Sequence, residues 1–154
     1  MHAPDTLRQV DKPDVLTELE LVSPSTLHSF TQDYLTGFES DRTDAESVSV
    51  NFGQLLTSPA IRLYRVIVNR QPVGVAALYQ EGDHFLLAGG AILPPYRHQG
   101  YHTGALISRL QYCWQHQPKS ISAWAYQDSI SYQNMCHLGL APLKSYWIYE
   151  HRIS

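Results

Sequence analysis

The sequence predicts an α/β domain: a central mixed, largely antiparallel sheet flanked by helices, in the order ααβββαβαβ. Three observations carry that prediction. Two helical periodicities open the chain, three β-rich runs separated by short turns follow at once, and the remainder alternates helix, strand, helix, strand. Hairpin turns make neighbouring strands antiparallel, whereas a strand reached through a helix crosses over and can pair in parallel. The 154 residues match one domain, and 44% apolar against 16% charged residues allow one sizeable core.

The elements follow in order. The first twenty residues are polar, hold Pro4 and Pro13, and read as an N-terminal arm, with 21–154 as a single domain. Ser23-Pro24-Ser25 can cap a helix over 25–37, where Leu27, Phe30, Tyr34 and Leu35 fall at helical spacing and Gly37 would stop it. Thr43-x-x-Glu46 matches a capping box for a second helix carrying Val48, Phe52, Leu55 and Leu56, ended by Pro59. Residues 61–68 (IRLYRVIV) read as a strand, 69–72 as a turn, 73–79 (VGVAALY) as a second strand and 81–83 as a second turn. Residues 85–93 (FLLAGGAIL) are almost wholly apolar, which predicts a strand buried on both faces. Gly89-Gly90 in its middle points to a bulge or a close approach to the backbone. A helix is expected over 101–116, a strand over 120–126, a short helix over 129–138 ended by Gly139, and a last strand over 143–153.

Charge and cysteine usage narrow the function classes. The net charge of −3 does not indicate wholesale nucleic-acid binding. Its distribution is uneven: residues 1–50 hold ten acids and three bases, residues 51–154 four acids and eight bases. Either surface charge drifts along the chain, or an anionic ligand belongs to the second part. No apolar run reaches the roughly 18 residues of a membrane span, and the acidic N-terminus does not read as a secretory signal. Cys113 and Cys136 are too few for a disulfide framework and read as small core residues, so a reducing cytoplasm is the expected compartment. The eight histidines are scattered without metal-ligand spacing, and no metal is expected. Trp114, Trp124 and Trp147 read as core fillers.

The most specific segment is 92–106, ILPPYRHQGYHTGAL, in which a buried strand ends at prolines, a loop carries Arg97 and Gly100, and a helix starts at once. The first helical turn has backbone N–H groups without intrahelical partners, and the helix dipole adds positive potential. Gly100 admits a ligand close to the main chain, and Arg97 supplies a fixed charge. Such a loop suits a phosphate or pyrophosphate, or is simply a strand–loop–helix connection. It is neither a Walker loop nor a dinucleotide fingerprint.

Arg97-x-x-Gly100-x-His102, followed by Thr103-Gly104-Ala105-Leu106, resembles the acyl-CoA pyrophosphate motif of the GNAT superfamily of N-acetyltransferases, Arg/Gln-x-x-Gly-x-Gly/Ala. His102 stands where the family has a small residue. Ser129–Leu140 (SISYQNMCHLGL) is similar to the Ser-x-x-Asn-x-x-x-x-Gly-Phe segment of the family's last helix, with Leu140 for Phe. The resemblance covers roughly 25–152, and 19–22 (LELV) is a candidate for the family's first strand. The tail has room for one long strand where many members have two.

The resemblance implies a GNAT-like fold and an acetyl-CoA co-substrate lying between the 85–93 and 120–126 strands. Backbone groups of Ala91, Ile92 and Leu93 would bind the pantetheine arm. Arg97, His98, Gln99, Gly100, Tyr101, His102 and Thr103 would form the pyrophosphate site, with Ser131 and Asn134 on the pantetheine. A neutral amine would attack the thioester directly. The tyrosine acid that many members carry four residues before the helix-ending glycine is replaced here by Met135. Tyr126 and Tyr132 are nearby substitutes or packing tyrosines. Candidate bases are Asp128, His84, Glu81 and Glu39, with Asp128 favoured because it follows the flanking strand, unless it caps a helix. The expected acceptor is a small primary amine, drawn by acids such as Asp33, Glu39, Asp41, Asp44 and Glu46; a homodimer through the aromatic final strand is the expected assembly. The alternative is a non-catalytic CoA- or nucleotide-binding module acting as a sensor or subunit.

Overall fold

The computed structural model describes residues 17–40, 45–125 and 129–142. Five strands form one sheet in the order β1-β2-β3-β4-β5: β1 (Glu18–Leu21), β2 (Ile61–Val68), β3 (Gln71–Glu81), β4 (His84–Ile92) and β5 (Ser120–Ala123). The first four are antiparallel neighbours, and β5, reached through a helix, pairs with β4 in parallel. Helices α1 (Leu27–Gly37) and α2 (Ala45–Leu55) precede β2, α3 (Tyr101–Gln115) joins β4 to β5, and α4 (Ile130–His137) follows β5.

The sheet separates two apolar clusters. On one side Val66, Leu78, Phe85, Leu87 and Ile121 pack against Leu106, Leu110 and Cys113 of α3 and Met135 of α4. On the other, Leu63, Val75 and Ala77 pack against Phe30 of α1, which Phe52 of α2 meets edge-on at 5.1 Å. Removing such side chains from water stabilises the fold by about 1.5–3 kcal/mol apiece.

Most elements lie where the sequence places them, and the departures have physical reasons. The strand Glu18–Leu21 begins inside the segment read as an arm, because pairing with Tyr64–Ile67 completes the edge of the sheet. Thr26, not the Ser23–Ser25 run, occupies the N-cap of α1; its Oγ1 accepts from the Ser23 N–H at 2.9 Å. The β2–β3 turn tightens onto Asn69 and Arg70, both at positive φ, so that β3 starts at Gln71. Trp124 is 70% exposed and Cys136 is exposed, so neither fills the core; the first lies beyond the end of β5, the second on the outer face of α4. Asp41, Asp44, Trp147, the Thr43 capping box and the 143–153 strand lie outside the described residues.

Candidate active site

The site begins where β4 and β5 part. They pair only from His84 with Ser120 to Leu87 with Ala123. β5 ends there, whereas β4 continues to Ile92, so its outer edge beyond Leu87 has no strand partner among the described residues. The expectation that this strand is buried on both faces is corrected at this stretch: Ala88, Gly89 and Gly90 are half-buried, because the sheet opens beside them.

The double glycine does form a bulge. The β3–β4 register shifts between Val75 and Ala77, and Gly89 adopts φ +57°, a conformation open to glycine at little cost. Arg109 of α3 fills the gap. It is 2% exposed; its Nη1 donates to the carbonyls of Ala77 (2.8 Å) and Ala88 (3.0 Å), and its Nε to Ala105 (3.2 Å). No sequence pattern singled out this arginine, since its position lies on the apolar face of an amphipathic helix.

At the other end of the opening stands the N-terminus of α3. Gly100 is its N-cap at φ +82°, His98 also has positive φ, and no side chain caps the first turn. The N–H groups of Tyr101, His102 and Thr103 therefore start a helix with no side-chain acceptor among the described residues. A cleft of about 640 Å³ runs from this turn to Gly90. Ala91, Ile92, Arg97, His98, Gly100, Tyr101, His102, Thr103, Ser131 and Asn134 line it, so three separate segments of the sequence meet there. Gly90, expected as part of a bulge or a close approach to the backbone, also lines it, as do Gly37, Phe38, Tyr96 and Ile130, which the sequence does not single out for the site. Gly37 had been read only as a helix stop; a Cβ there would lie 3.0 Å from that of Ala91, so the glycine lets α1 end against β4.

Of the expected contacts, the Leu93 backbone is engaged elsewhere, and the Gln99 side chain bonds Tyr101. Both backbone groups of Leu93 are used: its N–H donates to Val73 at 2.8 Å and its carbonyl accepts from Tyr96 at 2.9 Å. Gln99 is exposed and accepts from the Tyr101 hydroxyl at 3.2 Å. Neither residue lines the cleft. Arg97 does line it, but its guanidinium turns back into the protein. Nε donates to the Ile92 carbonyl (2.9 Å), Nη2 to the Gly37 carbonyl (2.9 Å) and Nη1 to Glu39 (3.2 Å). The side chain expected to meet phosphate is the tie between α1 and the end of β4.

His102 accounts for its own departure from the motif. Its Nδ1 accepts from the Asn134 amide at 3.1 Å, which places the ring proton on Nε2, and Nε2 donates to Ser131 Oγ at 3.2 Å. The imidazole thus joins α3 to α4. Burial, with the nearby Arg109 charge second, lowers its pKa to about 4, so the ring is neutral at pH 7.

The proton-transfer candidates fare differently. Asp128 and Tyr126 lie outside the described residues. Tyr132 is half-buried on α4 and does not line the cleft. Met135 is buried in the core. His84 bonds Ser120 at 2.6 Å at the closed end of the β4–β5 pair, and Glu81 ends β3 beside the same hairpin, so neither meets the opening. Glu39 lies near its mouth, paired with Arg97.

No family model and no curated protein matches the chain by sequence. Solved structures do match by shape. An aminoglycoside 6'-N-acetyltransferase from Acinetobacter baumannii superposes with a TM-score of 0.68 at 17% identity, over 90% of this chain and 100% of that one. The aminoglycoside N-acetyltransferase AAC(6')-Iy, in complex with CoA, gives 0.71 at 10% identity over 94% and 100%. The same enzyme in complex with a CoA bisubstrate analogue gives 0.69 at 14% identity over 90% and 99%. Together with the splayed β4–β5 pair and the Gly100-capped helix, these superpositions show that the chain has the fold of the GNAT acetyltransferases, the superfamily that its Arg97-x-x-Gly100-x-His102 segment resembles.

Proposed function

We propose that this protein transfers an acetyl group from acetyl-CoA to a primary amine of a small molecule. The observation that carries the reading is the cleft itself: a β4 edge with no strand partner among the described residues at one end and a helix N-terminus with no side-chain cap at the other, joined in one cavity. An uncapped first turn under a left-handed glycine suits a pyrophosphate, and an unpaired β edge suits an extended amide chain laid beside it as a pseudo-strand. CoA combines these two groups in one molecule. Structures of the same fold were solved with CoA and with a CoA bisubstrate analogue, which supports the choice of ligand.

The chemistry is a direct displacement. The amine lone pair forms the C–N bond, the C–S bond breaks, and sulfur leaves with the electron pair. Preorganised N–H groups near the thioester oxygen lower the barrier. Asp128 is the proposed acceptor of the amine proton and Tyr126 the proposed donor to sulfur, since Tyr132 does not line the cleft; a water-relayed proton is the alternative. Aminoglycosides, the acceptors named for the similar enzymes, are the first amines to screen.

A second reading, a CoA-binding module without turnover, is favoured by Met135, which sits in the core where the resemblance places an acid. Thermal unfolding with and without acetyl-CoA, with adenosine diphosphate as a control, tests the binding step. Ligand at 100 times its dissociation constant adds about 2.7 kcal/mol, a rise of several degrees for this size. Gly100→Glu should abolish that rise. Thiol release on adding amines then separates an enzyme from a binding module. No shift at saturating ligand would overturn both.

A further inference from the structure

The buried guanidinium of Arg109 has no carboxylate partner among the described residues. Its described acceptors are three neutral backbone carbonyls, reached by Nε and Nη1. Nη2 donates to none of the described residues and points at Gly90: a Cβ built there would lie 3.0 Å from it. Gly90 lines the cleft and has no side chain, so the glycine is a window between a buried positive charge and the cavity. The other titratable groups around this charge among the described residues are neutral at pH 7. They are His102 and Cys113 on α3, Tyr64 on β2, and Tyr34 of α1 across the bulge beside Gly89. Burial lowers the arginine to about 10, which leaves it protonated at neutral pH. An uncompensated charge at a depth where water is excluded acts strongly on whatever reaches it.

The cleft determines what reaches it. From the turn at Gly100, the edge of β4 that has no strand partner among the described residues runs back from Ile92 to Ala88, about 13 Å of strand. An extended arm anchored by phosphates at Gly100 and laid along that edge reaches Gly90 before the strands rejoin at Leu87 and Ala123. On the CoA reading above, the end of that arm is the thioester.

We infer that Arg109, acting through the window at Gly90, stabilises the negative charge that collects on the CoA sulfur as the C–S bond breaks. The arginine keeps all its protons. The electron pair leaves on sulfur as a thiolate, and the amine proton passes to its acceptor or to water. The same charge should hold the thiol of bound CoA partly ionised at neutral pH.

The test is the ionisation of that thiol, followed by thiolate absorbance near 240 nm on the full chain saturated with CoA, with desulfo-CoA as blank. In the unaltered protein, bound CoA should titrate at least one pH unit below free CoA, about a tenfold larger thiolate fraction below the midpoint. Arg109→Met should return the titration towards free CoA and lower kcat at least tenfold with little change in KM. Arg109→Lys should recover part of both. Gly90→Ala, which places a methyl against Nη2, should weaken the shift without removing the charge. A bound thiol titrating like free CoA in the unaltered protein overturns the inference whether or not the arginine variants fold. CoA that fails to bind at all overturns the acyltransferase reading instead, and this inference with it.

Discussion

Replacing Arg97 with alanine removes three donations that fasten the mouth of the cleft. Two go to the carbonyls of Ile92 and Gly37, both buried residues, at 2.9 Å each. The third goes to Glu39, whose side chain is 73% exposed. A charged donor to a carbonyl contributes about 1.5–3 kcal/mol when buried, and a partly exposed guanidinium contributes less. An exposed ion pair adds at most about 1 kcal/mol. Arg97→Ala should therefore destabilise the fold by about 2–4 kcal/mol, with nearly all the loss in the two carbonyl bonds. At about 2–4 °C per kcal/mol for a chain of this size, the melting temperature should fall by roughly 4–16 °C. Glu39→Gln should lower it by at most about 4 °C, in a salt-dependent way. Urea unfolding without ligand gives the free energies, and the same series with acetyl-CoA gives the affinity. If Arg97→Ala unfolds like the unaltered protein but has lost its response to acetyl-CoA, the arginine belongs to the phosphate and the tie described here is refuted.

Other consequences are independent of that one. Folding depresses the His102 pKa from its ordinary value of 6.5 to about 4, so the unfolded chain binds the proton more readily. This residue's stabilisation is complete above about pH 6.5 and disappears as pH falls through 4, a change of about 3 kcal/mol. His102→Asn should flatten the acid limb of the stability curve measured by urea unfolding between pH 7 and 4, and an unchanged slope would contradict the burial of the ring. A Cβ on Gly104 would overlap the Thr17 side chain, so Gly104→Ala should lose about 1–3 kcal/mol, read by thermal melting, and a neutral result would mean that the segment before β1 does not pack on α3. Burial raises the Cys113 thiol to about 12 while Cys136 is exposed. A thiol reagent at pH 8 should therefore label Cys136 quickly and Cys113 only on unfolding; two fast thiols in the native protein would refute that placement.

Elements defined by local pattern were legible in the sequence. The strand Ile61–Val68 begins and ends where its β-branched run does, and α4 ends at His137 with Leu138 as C-cap and Gly139, at φ +88°, in the C′ position. The Gly89-Gly90 bulge and the Gly100 turn were also readable, because each depends on a conformation that glycine favours. Hydrogen-bond partners were not legible. Arg97 was assigned to a phosphate because a loop arginine near a helix N-terminus has that electrostatic sense, yet the carbonyls it reaches belong to residues 5 and 60 positions away. Leu93 looked like the next backbone donor along an extended strand, but Val73 and Tyr96 had already engaged it.

Arg109 and His102 mark the division between the two levels. By itself the sequence determined the order of helices and strands, the glycine-dependent turns and the kind of ligand a loop-to-helix junction can hold, because these follow from dihedral preference and periodicity over a few residues. Tertiary structure alone decided that the arginine on an apolar helix face enters a bulge 21 to 32 residues away, and that the imidazole joins two helices 29 to 32 residues apart. The hydrogen-bond partner of a long polar side chain is whichever group the packed sheet leaves unsatisfied. That group exists only once β4 has parted from β5 and bulged against β3.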